Sequence, residues 1–237
     1  MASILKNHRL PVQIEGFPYI FGALLLTLSS AMIWKAAVSG TSDVGAGARW
    51  AAATGTFVFG VFTAFCIWFY RNPNRKTPTD DPRAVISPAD GRVLSVTEVS
   101  GNRIGAEKAR KVSIFMSPMD VHVNRAPITG VVEGVQYNSG KFFKADLDKA
   151  SEENENNWLI MKSDRGQKVA FGQIAGFVAR RIVCYVEKGT PLSRGERYGM
   201  IRFGSRMEVM LPLNSEILVN VGDRTTAGET KLARFGE

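Results

Sequence analysis

The stretch Tyr198-Gly199-Met200-Ile201-Arg202-Phe203-Gly204-Ser205-Arg206-Met207-Glu208-Val209-Met210-Leu211-Pro212 carries the reading of the fold. An apolar run from Tyr198 to Phe203 meets an alternating run from Met207 to Pro212, with Gly204 and Ser205 between them. Short alternating segments of this kind predict half-buried strands rather than helices. A Gly-Ser pair between two strands is ordinarily a turn or bulge, because glycine tolerates positive φ and serine bonds to nearby backbone.

Outward from this stretch the same pattern repeats. Strand-like runs occupy Arg92 to Val99, Lys111 to Met116, Val131 to Tyr137, Trp158 to Lys162, Lys168 to Ile174, Ile182 to Val186 and Ile217 to Val221. Glycine or proline punctuates them, which predicts a mainly β domain, a sandwich or barrel of short strands. One polar interruption, Lys144 to Asn157, starts with helical propensity. It continues as Ser151-Glu152-Glu153-Asn154-Glu155-Asn156-Asn157, which reads as a solvated loop.

The N-terminal third is different. No charge occurs from Gly16 to Trp34 or from Trp50 to Tyr70. A bilayer core takes roughly 20 helical residues, so both runs are long enough to span it. Trp50, Trp68, Phe69 and Tyr70 at the ends of the second run suit a membrane interface. A signal peptide fits the first run poorly, since its apolar part is too long and a second run follows soon after. The expected element is an α-helical membrane hairpin joined by Lys35 to Arg49, which either spans the bilayer or dips in and returns. Lys6, Arg9, Arg71, Arg75 and Lys76 lie outside the hairpin, against Lys35, Arg49 and Asp43 within its loop. This bias puts both ends in the cytoplasm. Arg71 to Arg83, with Pro73, Pro78 and Pro82, is a linker by composition. The expected domains are an anchoring hairpin with linker at 1–75 and a β-rich domain at 76–237.

The chain of 237 residues carries a net charge of +8. Basic excess favours anionic partners. Without blocks of Lys/Arg or basic-aromatic interleaving, anionic lipid fits better and no nucleic-acid partner is expected. Cys66 lies within an apolar run and Cys184 in the β-rich part, so no disulfide framework or metal cluster is expected.

Of two histidines, His8 sits in the N-terminal tail, which leaves His122 as the imidazole for the β domain. A lone histidine is most often a packed residue, but His122 closely follows a strand ending at Met116, and strand ends present reactive groups. Asp90, in Pro88-Ala89-Asp90-Gly91, reads by itself as an Asp-Gly turn. Ser205, His122 and Asp90 have the types of a nucleophile, a base and an orienting carboxylate. Most chains of this size hold such a trio, so the types alone decide little.

Four segments do more: Ser87-Pro88-Ala89-Asp90-Gly91-Arg92-Val93, Phe115-Met116-Ser117-Pro118-Met119-Asp120-Val121-His122, Phe69-Tyr70-Arg71-Asn72-Pro73 and Phe203-Gly204-Ser205. Together they resemble the short form of the phosphatidylserine decarboxylase family, and the resemblance runs from Phe69 to the C-terminus. It implies autocatalytic cleavage between Gly204 and Ser205 into a β-chain, 1–204, and an α-chain, 205–237, that stay together as a heterodimer. A higher homo-oligomer is compatible with it.

Ser205 would become a covalent pyruvoyl group, form a Schiff base with phosphatidylserine in the membrane, and release carbon dioxide to leave phosphatidylethanolamine. No metal is implied. The resemblance further implies a catalytic domain on the cytoplasmic side of the cell membrane and catalytic roles for Ser205, His122 and Asp90, with His122 as proton donor after decarboxylation.

One departure stands out. Longer members carry a second histidine three residues after the first, and here that position is Arg125. Either His122 takes the work of both, or self-cleavage relies on Asp90 and backbone strain. Arg125 would instead suit a carboxylate or phosphate.

The rival reading is a membrane-anchored binding or carrier module that is not cut. Ser87 to Val93, Gly222-Asp223 and Ala227-Gly228-Glu229 are similar to elements of lipoyl and biotinyl sandwich folds. A carrier needs a lysine at a hairpin tip, and Arg206-Met207-Glu208-Val209 offers none.

Overall fold

A computed structural model of the chain describes residues 10–40, 45–143, 153–176, 181–202 and 204–236. Lys6, His8, Arg9, Asp43, Phe203 and the helical expectation at 144–152 lie outside the described residues. Two helices lead: α1 (Phe17–Val38) with 22 residues and α2 (Ala46–Phe69) with 24. At about 1.5 Å per residue each reaches the roughly 30 Å of a hydrocarbon core. Apart from Lys35 and Arg49 near their ends neither carries a charge, and Phe21, Leu25, Met32, Trp50 and Phe57 are exposed on the hairpin.

The helices meet through small residues, with Ala23, Ala37 and Ala52 buried and the Thr27 and Thr63 hydroxyls 3.2 Å apart. Small side chains let helix backbones approach, and hydroxyl pairs suit an apolar setting. At the base, the Gln13 amide donates to the Tyr70 carbonyl at 2.8 Å and the Asn72 amide to Pro11 at 2.7 Å. The link between the helices is shorter than Lys35 to Arg49. Helix α1 runs on to Val38 and α2 starts at Ala46, so both basic residues are helical. Long basic side chains reach out from apolar helix ends, so the charges do not stop the helices.

Among the described residues, those up to Pro73 form one compact unit and those from Asn74 onward a second. The second unit is built from β1 (Ala84–Ile86), β2 (Gly91–Ser100), β3 (Lys108–Met116), β4 (Val123–Arg125), β5 (Gly130–Asn138), β6 (Asn156–Lys162) and β7 (Lys168–Ile174). These continue into β8 (Ile182–Cys184), β9 (Pro191–Leu192), β10 (Arg197–Ile201), β11 (Ser205–Pro212), β12 (Glu216–Ile217), β13 (Arg224–Thr225) and β14 (Lys231–Arg234). The unit is mainly β, as expected.

An antiparallel sheet runs β13-β2-β3-β11-β7-β6-β5-β9, beside two small sheets, β1-β14-β12 and β4-β10-β8. Ile114, Leu159, Met161, Val169, Phe171, Met207 and Val209 project from one face of the large sheet into a core shared with Tyr198 and Ile201 of β10. The Phe171 and Tyr198 rings meet edge to face at 5.1 Å. Trp158, Ala170, Ile174 and Met210 form a smaller cluster with Ile104. They alternate with the core residues along β6, β7 and β11, as a two-residue period requires.

The predicted runs match the long strands within a few residues. Ile217 to Val221 is shorter than expected. The strand ends at Ile217, the Leu218 amide makes one more bond to the Leu232 carbonyl at 2.9 Å, and a turn follows in which the Asp223 carboxylate accepts from the Asn220 amide at 2.7 Å.

Candidate active site

The Gly204-Ser205 pair is not a hairpin turn. β10 belongs to the small sheet β4-β10-β8 and β11 to the large one, and the chain passes between them at these residues. Gly204 has φ of +56°, in the left-handed region where a β-carbon is strained. Ser205 is fully buried as the first residue of β11, opposite Met116, the last residue of β3. The next pair, Arg206 and Phe115, is level with Arg92 of β2 on one side and Ile174 of β7 on the other. The start of β2, the end of β3 and the start of β11 therefore form one end of the sheet. The start of β6 joins them, since Asn156 lies opposite Ile174.

At this end the Ser205 hydroxyl donates to the Met116 sulfur at 3.4 Å. No hydrogen bond links that hydroxyl to His122 or Asp90 among the described residues. His122 is fully buried, and its Nδ1 lies 2.9 Å from the Asp120 carbonyl oxygen. A carbonyl only accepts, so Nδ1 carries the proton and Nε2 is the basic nitrogen. β4 aligns Val123 with Met200 of β10, and the Ile201 amide donates to the His122 carbonyl at 3.3 Å. His122 thus stands at the end of β10, just before the Gly204-Ser205 crossing. Asp120 shapes this loop: its carboxylate accepts the Ser117 amide at 2.8 Å and pairs with Arg224 at 3.3 Å.

Asp90 is held elsewhere in the same end. One carboxylate oxygen takes Arg75 at 2.8 Å and the other the Ala227 amide at 2.7 Å. Gly91 is not there for a turn. β2 starts so close to β3 that a β-carbon at this position would run into the Phe115 carbonyl oxygen. Arg125 is buried and donates to the Gly195 carbonyl at 2.9 Å. Burial first, and then the charges of Arg197 and Arg75, pull its pKa down to about 10, while Asp90 and Glu229 act the other way. Arg125 therefore adds positive charge near Asp90.

The polar segment near 154 corrects the solvated-loop expectation. Asn154, Asn156 and Asn157 are all buried. The Asn154 amide nitrogen donates to the carbonyls of Phe143 and Ala175 at 2.8 and 2.7 Å, and its oxygen accepts the Phe143 amide at 2.8 Å. Side-chain amides here replace the backbone partners that an irregular buried segment lacks.

The sequence reading also missed a chain of amides on the core face. Asn157 donates to Gln173 at 3.1 Å, Gln173 to Asn124 at 2.9 Å, and Asn124 approaches the Met116 sulfur at 4.0 Å. Gln173 follows Val169 and Phe171 on that face, and this polar break in an apolar alternation was the available signal. A separate cleft of about 550 Å³, lined by Arg103, Trp158, Glu208 and Met210, opens on the opposite face of the sheet.

Comparison with known proteins bears on this arrangement. A family model described as phosphatidylserine decarboxylase matches residues 62–233. A phosphatidylserine decarboxylase proenzyme of Magnetococcus marinus is 45% identical over 222 residues, covering 93% of this chain and 94% of its own. One from Pelobacter propionicus is 44% identical over 236 residues, covering 98% of this chain and 100% of its own. One from Syntrophus aciditrophicus is 47% identical over 173 residues, with 73% and 81% covered. The chain belongs to the phosphatidylserine decarboxylase family of carboxy-lyases.

Proposed function

We propose that this chain is a proenzyme that cuts itself between Gly204 and Ser205 and then decarboxylates phosphatidylserine to phosphatidylethanolamine. The observation that carries the reading is the placement of Ser205. It is buried at the start of a central strand, preceded by a glycine in the left-handed region, beside the loop that holds His122. A bent, glycine-led entry lets a serine hydroxyl approach the preceding carbonyl, which a regular strand does not.

In the cut, His122 Nε2 takes the Ser205 proton and Oγ attacks the Gly204 carbonyl carbon. The peptide C–N bond breaks, the nitrogen takes the proton from His122 to become a free amine, and an ester remains. Elimination and hydrolysis then leave a pyruvoyl group at residue 205. The site fits that group. Residue 205 faces the Met116 thioether in a buried setting, and β11 is held on both sides by β3 and β7, so the new chain start keeps its place. A pyruvoyl group supplies a ketone that condenses with the substrate amine and accepts the electrons that carbon dioxide leaves behind. His122 returns the proton to the substrate carbon. Asp90, clamped by Arg75 and Ala227, acts through the charge it presents to this end of the sheet.

The β-chain 1–204 and α-chain 205–237 remain a heterodimer because β11 lies inside the sheet. The two apolar helices anchor the unit in the cell membrane with the catalytic part on the cytoplasmic side, where the lipid headgroup is in reach. Intact-mass analysis tests the reading. The wild type should give two chains, one ending at Gly204 and one starting with a pyruvoyl group, and Ser205→Ala a single uncut chain. A single wild-type species of 26.0 kDa would overturn it.

A further inference from the structure

Asn124 is fully buried, yet among the described residues the donor at the tip of its side chain meets no oxygen. Its Nδ2 approaches only the Met116 sulfur, at 4.0 Å, and a thioether is a weak acceptor. The orientation is forced by its neighbours. Gln173 Nε2 lies 3.2 Å from the Val183 carbonyl and 3.5 Å from that of Met200, while Gln173 Oε1 accepts from Asn157 at 3.1 Å. Carbonyls only accept, so the Gln173 nitrogen is fixed on this side. It also donates to Asn124 Oδ1 at 2.9 Å. Asn124 must therefore turn its NH₂ towards Met116, whose sulfur is also the contact of the Ser205 hydroxyl at 3.4 Å. A buried donor without a full acceptor is costly to keep. This one is held by a partner that prevents its flipping, and it points to the side where Ser205 lies.

We propose that Asn124 is a catalytic hydrogen-bond donor in self-cleavage, supplying Nδ2–H to the oxygen of residue 205 as that oxygen leaves. The inference rests on the cut proposed between Gly204 and Ser205. A donor on a nucleophile slows attack, whereas a donor on a leaving oxygen speeds departure, so the assignment is to elimination. In that step His122 removes the Cα proton of residue 205. The electron pair forms the Cα–Cβ double bond, the Cβ–Oγ bond breaks, and its pair stays on Oγ as the Gly204 carboxylate. Water then replaces the nitrogen of the dehydroalanine, which departs as ammonia. Asn124 bonds the oxygen on which charge appears, and the flexible Met116 side chain yields its place. Gln173 is a positioning residue that acts through Asn124.

The test follows cleavage of freshly synthesised full-length chain in detergent for the wild type, Asn124→Leu and Asn124→Asp. The aspartate variant keeps the shape and the acceptor for Gln173 but loses the donor, and it decides the question if the leucine variant does not fold. Removing one such donor typically slows a reaction about 10²–10³-fold. Each variant that melts like the wild type should mature that much more slowly and stall at the ester. Hydroxylamine should then open the ester and release a small chain that starts with serine instead of pyruvoyl. A folded variant that matures at the wild-type rate overturns the proposal. So does one that stalls without a hydroxylamine-sensitive ester, since that is the mark of a merely structural role. A wild type that is itself never cut would overturn the proposed function instead.

Discussion

Glu208→Gln, made in the uncut Ser205→Ala chain, measures what holds β11 in place. Glu208 and Arg206 share one face of β11, opposite Met207 and Val209, and their side chains are 1% and 3% exposed. Glu208 Oε1 lies 3.0 Å from Arg206 Nε, 3.3 Å from Lys111 Nζ and 3.3 Å from the Ser113 hydroxyl, while Arg206 donates to Ser113 at 3.0 Å. Glutamine keeps the shape and one acceptor but leaves the Arg206 charge buried without its counter-ion. Breaking a buried pair from one side costs about 3–5 kcal/mol. Lys111 is partly exposed and its share is screened, so the lower end, about 3 kcal/mol, is expected. At about 2–4 °C per kcal/mol for a unit of this size, the melting temperature should fall by roughly 6–12 °C. Scanning fluorimetry in detergent at neutral pH, with Ser205→Ala as reference, reads the difference free of cleavage. A fall below about 2 °C would refute the reasoning. In the proposed mature protein the same contacts would join two chains, because Lys111 and Ser113 would belong to the large chain and Arg206 and Glu208 to the small one.

Two further outcomes are expected. Gly91→Ala should destabilise the β-rich unit by about 1–3 kcal/mol through the clash with the Phe115 carbonyl and, by shifting Asp90, slow maturation; an unchanged melt and cleavage rate would show that β2 can give way. His122→Ala should slow self-cleavage and, in whatever fraction matures, lower decarboxylation by about 10²–10⁴-fold; normal maturation with poor turnover would confine His122 to the second step, and normal behaviour in both would make it a packed residue.

Much of the fold was legible because period and punctuation are local properties. Lys168 to Ile174 alternates cleanly, and β7 has those bounds. The two uncharged runs became α1 and α2 because an unbroken apolar surface at that length has few other solutions. The short strands β4, β9, β13 and β14 were not legible. Each is two to four residues long and is defined by its partner; β13, for instance, is Arg224 and Thr225 set against Arg92 and Gly91. Asn154 to Asn157 misled for a related reason. Asparagine is polar in any sequence, and only the sheet end that it closes makes it a buried partner for backbone.

The site was legible as residue types but not as a relation among them. Serine, histidine and aspartate suggest a relay, yet the Ser205 hydroxyl rests on a thioether, His122 Nδ1 on a backbone carbonyl and Asp90 on Arg75. The difference has a physical basis if the proposed cut is right. A relay restores a serine nucleophile at every turnover, and that requires a base aligned on the hydroxyl at rest. Ser205 would use its hydroxyl once and then lose it, so nothing needs to be restored. Such a reaction needs a peptide bent towards attack, dry surroundings and a donor for the oxygen that departs. Gly204 at φ of +56°, the burial of Ser205 and the fixed amide of Asn124 correspond to these three needs. Asn124 and Arg125 are neighbours on β4, so in an extended strand their side chains face opposite sides.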